Sequence, residues 1–255
     1  MNAPLHAGPL HVAVAGWHGR MGRAVSQVLE ERDGAIVAVR FERGETPDLG
    51  FCDVVIDFTT GEASAALAQR CAERGGPALV IGSTGFSDEE LAAVKAASQR
   101  IPIVLSGNFS LGVNVLIGLV AQAASKLRPE GWDVEVLEAH HRRKLDAPSG
   151  TALMLGEAAA NARGQSLADK RTALRDGVGA ARQAGAIGFA SLRGGGIVGE
   201  HTVVFAAEDE ILTLSHSARD RSLFARGAVE AAVWVAGKPA GLYDMQDVLG
   251  FTSAK

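Results

Sequence analysis

Short apolar runs alternate with amphipathic stretches through the first hundred residues. Segments 63–74 and 88–98 carry apolar residues at helical spacing between these runs. Strands that alternate with helices predict a parallel, doubly wound sheet of the α/β class. The runs that predict buried strands are 11–15, 35–39, 53–58, 77–81 and 101–105.

The second half of the chain has a different order of elements. A long, mostly apolar helical stretch at 111–127 precedes an alternating strand that ends near Ala139, and a helix is predicted at about 151–163. After an irregular span at 164–185, alternating patterns predict strands at 187–192, 200–207 and 210–217, with a hairpin at Glu208-Asp209 between the last two. This order predicts an antiparallel or mixed sheet with one or two helices, an α+β domain.

Composition narrows the class of protein. The 255 residues are 47% hydrophobic and 21% charged, with a formal charge of −4, so no broad basic surface for nucleic acid is expected. No apolar run approaches the roughly 18 residues that span a bilayer, and residues 1–10 lack a signal-peptide pattern. Cys52 and Cys71 have no metal-type spacing, which indicates buried fillers in a reducing compartment. A cytoplasmic protein with no nucleic-acid or membrane partner is expected.

A glycine-rich turn follows the first predicted strand. Gly16, Gly19 and Gly22 form a GxxGxxG pattern, and Val25 and Leu29 then lie at helical spacing. Strand, glycine turn and helix open a Rossmann-type dinucleotide-binding unit. Such turns are also common as plain structural connections, so the surrounding pattern carries the prediction.

Glu42 and Arg43 follow the second predicted strand, with Glu42 lying 26 residues after Gly16. An acid at this place accepts hydrogen bonds from the adenosine ribose, whereas an arginine pairs with a 2′-phosphate. Having both side by side indicates that NADH and NADPH are both tolerated. The alternative is a charged turn without a ligand.

Polar loops follow two further strands, at 82–86 and 106–110. Ligands of doubly wound sheets gather at the carboxyl ends of the strands. Gly107 and Asn108 could therefore donate hydrogen bonds to a nicotinamide or ribose, although Ser, Gly and Asn are also ordinary turn residues.

The stretch Glu138–Thr151 holds the most distinctive chemistry. Five consecutive cationic or titratable residues, 140–144, follow a strand, and Ser149 is a plausible N-cap of the next helix. A helix N-terminus attracts anions, and histidine and lysine move protons near neutral pH. This combination predicts a site that grips carboxylates or phosphates and transfers protons, with a solvated basic loop as the alternative.

The same stretch, Glu138-Ala-His-His-Arg-x-Lys-x-Asp-Ala-Pro-Ser-Gly-Thr151, resembles the signature of the 4-hydroxy-tetrahydrodipicolinate reductase (dihydrodipicolinate reductase) family. Similar landmarks extend over nearly the whole chain. They are Gly16-x-x-Gly-Arg-Met-Gly22, Val-Ile-Asp-Phe-Thr59, Ile-Gly-x-Thr-Gly-Phe86, Asn-Phe-Ser110 through Gly-Val-Asn114, Ile-Gly-Phe-Ala190 and Ile-Val-Gly-Glu-His-Thr202.

The resemblance implies hydride transfer from NADH or NADPH to a cyclic, unsaturated imine with two carboxylates, with loss of water, in diaminopimelate and lysine biosynthesis. It implies that His140 is the general acid/base and that Lys144 assists. It also implies that His141, Gly150 and Thr151 bind the substrate carboxylates. The residues that it assigns to the cofactor are Gly16, Trp17, His18, Gly19, Arg20, Met21, Glu42, Arg43, Gly82, Ser83, Thr84, Ser106, Gly107, Asn108 and Phe109.

Two domains are expected from the pattern and the resemblance together. Residues 1–110 would bind the dinucleotide, and 222–255, which include a final helix at 223–236, would return to this domain. Residues 111–221 would bind the substrate and, as the resemblance implies, build a homotetramer through their sheet.

Three other functions remain to be weighed against the reductase. A cofactor-binding sensor would keep the glycine turn and Glu42 but would not need His140 together with Lys144. A metal hydrolase that uses His140, His141, His201 and His216 is disfavoured, since adjacent residues of an extended segment point to opposite sides. A dehydrogenase with a catalytic cysteine is disfavoured because both cysteines fall in the cofactor half.

Overall fold

The computed structural model describes residues 8–172 and 177–251. Its strands are β1 (Leu10–Ala15), β2 (Ala35–Phe41), β3 (Val54–Asp57), β4 (Ala78–Ile81), β5 (Pro102–Leu105), β6 (Asp133–His140), β7 (Ile187–Arg193), β8 (Gly199–Ala206), β9 (Ile211–Ala218) and β10 (Gly241–Tyr243). Its helices are α1 (Arg20–Glu30), α2 (Gly61–Glu73), α3 (Asp88–Ser98), α4 (Leu111–Lys126), α5 (Gly150–Ala162), α6 (Leu167–Lys170), α7 (Ser222–Val235) and α8 (Met245–Leu249).

The chain divides into two compact units. Unit 1 contains the residues up to Leu111 and those from Ser222 onward, and unit 2 is Gly112–Arg221. Among the described helices, none combines the length and the apolar character that crossing a bilayer requires. Residues 1–7, on which the signal-peptide prediction partly rests, lie outside the described residues.

Unit 1 is built on a sheet with the order β10-β5-β4-β3-β1-β2, in which all neighbouring strands are parallel. All four residues of β3 are buried, because helices cover both faces of the sheet. Val54 and Ile56 pack into the core that contains α1 and α7, whereas Val55 packs into the core that contains α2 and α3. The predicted doubly wound parallel sheet is confirmed.

The C-terminal part of unit 1 holds more regular structure than the sequence indicated. The predicted final helix is α7, which packs in the same core as α1. The segment after it, for which the sequence predicted no element, contains β10 and α8. β10 pairs in parallel with β5, and α8 has an Asp244 capping box and the buried Met245. Elements of three and five residues are too short to show a period in the sequence.

Unit 2 contains a mixed sheet with the order β7-β6-β8-β9. β6 runs parallel to β7 and antiparallel to β8, and β8 and β9 form the predicted hairpin. α4 and α5 cover one face through a core that includes Val120, Val136, Leu155 and Phe205. The predicted α+β unit is therefore confirmed. The span expected to be irregular contains the short helix α6, and its residues 173–176 lie outside the described residues.

Candidate active site

The inward face of the unit 2 sheet changes from apolar to polar along its strands. On β6, Val134 and Val136 are buried in the core, and the next two residues with the same orientation are Glu138 and His140. The strands on either side change in the same way at the same end. Their polar inward residues are Ser191 and Arg193 on β7, opposite Glu138 and His140, and His201 on β8, opposite Glu138.

Glu138 is the centre of this polar cluster, and only 4% of the residue is exposed. Arg193 donates from both terminal nitrogens, with Nη2 2.7 Å from Oε1 and Nη1 2.8 Å from Oε2. The backbone N–H of Ser149 donates to Oε1 over 3.2 Å. Burial raises the pKa of Glu138, but hydrogen bonds from Arg193, Ser191 and His140 outweigh it and lower the pKa to about 2. Glu138 is therefore a buried carboxylate that stays ionised at neutral pH.

His140 presents its two ring nitrogens to different surroundings. Nδ1 lies 2.5 Å from Glu138 Oε2, and because an ionised carboxylate only accepts, Nδ1 is the donor. Nε2 makes no hydrogen bond within residues 8–172 and 177–251. A Cβ at Gly199, the next residue across on β8, would lie 3.2 Å from Nε2, so glycine leaves space there. His140 therefore has one nitrogen held by the protein and one open.

His201 lies beside His140 in the cluster and is uncharged. Its ring lies edge-on to that of His140 with the centroids 5.1 Å apart, and Nε2 is 3.2 Å from Ser149 Oγ. Burial, followed by the nearby charge of His140, lowers the pKa of His201 to about 4. His201 is thus uncharged near neutral pH. The sequence placed His201 in a landmark of the resemblance and in a disfavoured metal site, without a role in proton transfer.

Ser149 is the N-cap of α5, as the sequence indicated. Its side chain accepts a hydrogen bond from the N–H of Ala152, and Gly150 and Thr151 form the first turn. The open end of this 13-residue helix offers backbone donors and a partial positive charge beside the basic loop.

The basic loop places its side chains in different directions. Lys144 forms an ion pair with Asp146 at 2.8 Å, and hydrogen bonding from Lys144 lowers the pKa of Asp146. His141 Nε2 lies 3.3 Å from an Arg221 nitrogen, whereas the adjacent His140 points to Glu138. Among the described residues, no group of three or more His, Cys, Asp and Glu side chains has the arrangement of a metal site.

The glycine turn of unit 1 has the close backbone packing that its pattern predicts. Gly16 has φ +68°, and a Cβ there would lie 2.8 Å from Thr59 Cγ2. A Cβ on Gly22 would lie 2.3 Å from the Gly16 carbonyl oxygen. Gly19 is the N-cap of α1 and provides no side-chain cap, so the first N–H groups of the 11-residue helix have no such partner. Their placement suits an anion.

Glu42 lies against this turn although it is 24 residues from His18 in sequence. The backbone N–H of His18 donates to Glu42 Oε1 over 2.8 Å, since β1 and β2 are neighbours and end together. Trp17 stacks on the His18 ring with the centroids 3.9 Å apart and packs partly against the core. Arg43 is exposed beside Glu42.

Of the remaining residues expected to bind the cofactor, Arg20 and Met21 begin α1, and the others lie on the loops after β4 and β5 at the same edge of the sheet. Several of the loop side chains have internal partners. Ser83 is buried with its Oγ 2.8 Å from Ser64 Oγ. Ser106 Oγ donates to the Asn108 carbonyl over 2.8 Å, and Phe109 is 1% exposed in the core. These residues could meet a ligand mainly through backbone groups. Exposed members of the set are Arg20, Thr84 and Gly107.

Asp57, at the carboxyl end of β3, was not singled out from the sequence. It is fully buried and accepts hydrogen bonds from Thr59 N–H at 2.8 Å, Thr59 Oγ1 at 2.6 Å and Ser64 Oγ at 2.7 Å. Burial raises its pKa despite these bonds. Through Ser64 it also reaches Ser83, so one carboxylate ties two of the loops together.

Sequence reasoning also missed the roles of Glu138 and Arg193. The sequence contained a signal for both residues. On β6, the two-residue period that buries Val134 and Val136 also turns Glu138 inward. On β7, the same period through Ile187 and Phe189 turns Arg193 inward.

Comparisons with known proteins agree over most of the chain. Family models described as "Dihydrodipicolinate reductase, N-terminus" and "Dihydrodipicolinate reductase, C-terminus" match residues 45–109 and 112–249. The 4-hydroxy-tetrahydrodipicolinate reductase of Caulobacter vibrioides is 63% identical over 95% of this chain and 98% of its own length. That of Allorhizobium ampelinum is 46% identical over 96% and 99%. In fold, the chain is similar to a dipicolinate-bound dihydrodipicolinate reductase from Paenisporosarcina sp. TG-14, with a TM-score of 0.75, 22% identity and coverage of 92% and 97%.

Proposed function

The chain belongs to the dihydrodipicolinate reductase family, and from this premise we propose that it reduces 4-hydroxy-tetrahydrodipicolinate to tetrahydrodipicolinate with loss of water. It is an NAD(P)H-dependent oxidoreductase of the diaminopimelate and lysine pathway. The observation that carries the proposal is the His140 ring, which is held by a buried carboxylate at Nδ1 and open at Nε2 beside a helix N-terminus.

We assign the cofactor to unit 1. A pyrophosphate can approach the backbone closely at the first turn of α1, because Gly16 and Gly22 have no side chains. Glu42 lies where a ribose hydroxyl would bind. Arg43 is free to pair with the 2′-phosphate of NADPH. When bound, the reduced nicotinamide supplies a hydride. The other residues proposed for this role are Trp17, His18, Gly19, Arg20, Met21, Gly82, Ser83, Thr84, Ser106, Gly107, Asn108 and Phe109.

We assign the dicarboxylate substrate to unit 2. Gly150 and Thr151 offer donors at the start of α5, and His141 and Lys144 add side-chain donors on the loop before it. The Lys144–Asp146 pair would exchange for a pair between Lys144 and a substrate carboxylate, since Asp146 is largely solvated. This exchange brings positive charge to the substrate ring.

We assign the proton transfer to His140. The hydroxyl group of the substrate leaves with a neighbouring ring proton as water. A hydride then added to the unsaturated ring leaves negative charge, which a second proton must neutralise. His140 Nε2 is the atom of the cluster that is free to give that proton, and it then regains one from solvent. Lys144 assists by stabilising the charge while it develops.

We further propose that this enzyme assembles as a homotetramer through the outward face of the unit 2 sheet. Leu137 and Leu192 are 42% and 55% exposed on this face, with Ala190 beside Leu137 on β7. A solvated sheet face is usually polar, so exposed leucines support burial against a second copy. Light scattering should give a tetramer for the native chain and smaller species for Leu137→Glu. A native monomer would contradict the assembly.

The decisive experiment supplies freshly made 4-hydroxy-tetrahydrodipicolinate and follows the absorbance of NADH or NADPH. Oxidation of the nucleotide only when substrate is present supports the reductase. Pyridine-2,6-dicarboxylate should compete with the substrate and not with the nucleotide. Nucleotide binding without turnover would favour the cofactor-binding sensor instead.

A further inference from the structure

Glu138 lies on one strand of unit 2 and is next to three other elements of that unit. It lies on β6, accepts both ends of the Arg193 guanidinium from β7, faces His201 on β8 and accepts the Ser149 N–H at the start of α5. It also contacts the Ser191 side chain on β7 and His140 Nδ1, two residues along its own strand. The orientation of this carboxylate is therefore set independently of any ligand.

This arrangement restricts which nitrogen of His140 exchanges its proton. A neutral imidazole has one donor and one acceptor nitrogen, and an ionised carboxylate can only accept. With Nδ1 against Glu138, the Nδ1 proton is kept in both the neutral and the charged ring. The proton that is gained and lost is then the one on Nε2, next to the space left by Gly199.

Arg193 fixes the carboxylate in turn. Its two nitrogens bind one oxygen each, which sets the plane of the carboxylate and favours its ionised form. Arg193 also donates to the Asp146 carbonyl, so the same guanidinium contacts the basic loop.

We propose that Glu138, clamped by Arg193, is the positioning residue that holds His140 in one tautomer and directs Nε2 to the substrate. The inference rests on the proposed role of His140 and extends it to residues that do not touch the substrate. It predicts that the pair is needed for turnover beyond any contribution to stability.

The first test compares Glu138→Gln and Arg193→Lys with the native enzyme. Glutamine removes the charge and adds donors, and lysine cannot form the two-point contact. We expect kcat to fall about 10- to 100-fold in both variants, as for other partners that orient a functional histidine, with the KM for nucleotide unchanged. In Glu138→Gln the pH midpoint of the kcat profile should move to lower pH, because an anion beside the ring is lost. Glu157→Gln, the same change at an exposed position on α5, is the matched control.

The second test takes its main readout from the native enzyme and uses variants for assignment and comparison. Nitrogen-15 labelling of the histidines in the native enzyme reports which ring nitrogen carries the proton. We expect His140, assigned through the loss of its signals in His140→Gln, to be the Nδ1–H tautomer when neutral. Glu138→Gln should mix the tautomers.

The outcomes separate this inference from the proposed function. An Nε2–H tautomer in the native enzyme, or normal kcat and pH profile in Glu138→Gln, overturns the positioning role. If His140→Gln is inactive while Glu138→Gln is active, only the positioning role fails. If both are fully active, the proposed role of His140 fails as well.

Discussion

Two buried carboxylates, Asp57 in unit 1 and Glu138 in unit 2, lie at or near the ends of their strands. Each accepts hydrogen bonds from several segments of its unit. Asp57 is bonded by hydroxyl groups and one backbone N–H, and burial raises its pKa. Glu138 has an arginine and a histidine as partners, and its pKa falls to about 2. Both residues are shielded from solvent, but Asp57 lies deeper in the protein. Its greater loss of hydration and its uncharged partners raise its pKa, whereas the ionic partners of Glu138 outweigh a smaller loss of hydration.

The opposite pKa shifts indicate different roles for the two carboxylates. Neutral donors around Asp57 hold the loops after β3 and β4 in place, which gives shape to the edge of the sheet. The ion pair at Glu138 fixes a group that can itself titrate. Glu138 suits the proposed acid–base site because it has both a cation that keeps it ionised and a histidine that it orients.

The largest expected effect is the loss of the titrating group at the Glu138 cluster. His140→Gln should lower kcat by about 10²–10⁴-fold, the usual range for a lost general acid, with a modest change in KM. Nucleotide affinity, measured by fluorescence titration, should remain normal because the proposed cofactor residues lie on unit 1. Near-normal turnover would mean that the proton comes from Lys144 or water.

Next in size is the removal of the cation. Arg193→Ala leaves the Glu138 carboxylate buried without its main partner, which should destabilise the protein by about 3 kcal/mol. We choose the low end of the usual range because the Arg193 side chain keeps 19% exposure. Urea unfolding checks the value, with Arg219→Ala, an exposed arginine of the same unit, as the control. Equal stability of the two variants would contradict it.

The neutral state of His201 should make the stability of the protein depend on pH. The folded pKa of His201 is about 4 against an ordinary value of 6.5. Between these values the unfolded chain binds a proton that the fold rejects, so stability is full above pH 6.5 and falls towards pH 4. The loss is on the order of 3 kcal/mol. His201→Asn should flatten the slope of unfolding free energy against pH, and an unchanged slope would exclude His201 as its source.

The smallest effect is expected at Asp57, whose hydrogen-bond partners are uncharged. Asp57→Asn removes a charge that burial disfavours but keeps a carbonyl acceptor for Thr59, so stability near neutral pH should change by about 1 kcal/mol or less. The matched change Glu138→Gln should cost more, because it leaves Arg193 without its anion. A larger loss in Asp57→Asn, measured by urea unfolding, would mean that the two carboxylates do not differ as described.

Much of this fold could be predicted from sequence periods. The bounds predicted for α3 from helical spacing agree with the structure, in which a Ser87–Glu90 capping box fixes the start of the helix. The N-cap Ser149 was also identified from the local sequence. The Glu138–Arg193 pair was not, because 55 residues separate its members and only the register of β6 with β7 brings them together. Local signals predict helices and caps, whereas contacts across strands need the topology.

The position of α7 has a consequence for the nascent chain on the ribosome. Unit 2 is continuous in sequence, but unit 1 lacks α7, β10 and α8 until Ser222 and later residues have been made. At about 5–20 residues per second, the segment of unit 1 up to Leu111 waits on the order of 10 s for the helix that packs against α1. During that time its apolar sheet face is uncovered. We expect this interval to be when the newborn chain most needs a chaperone.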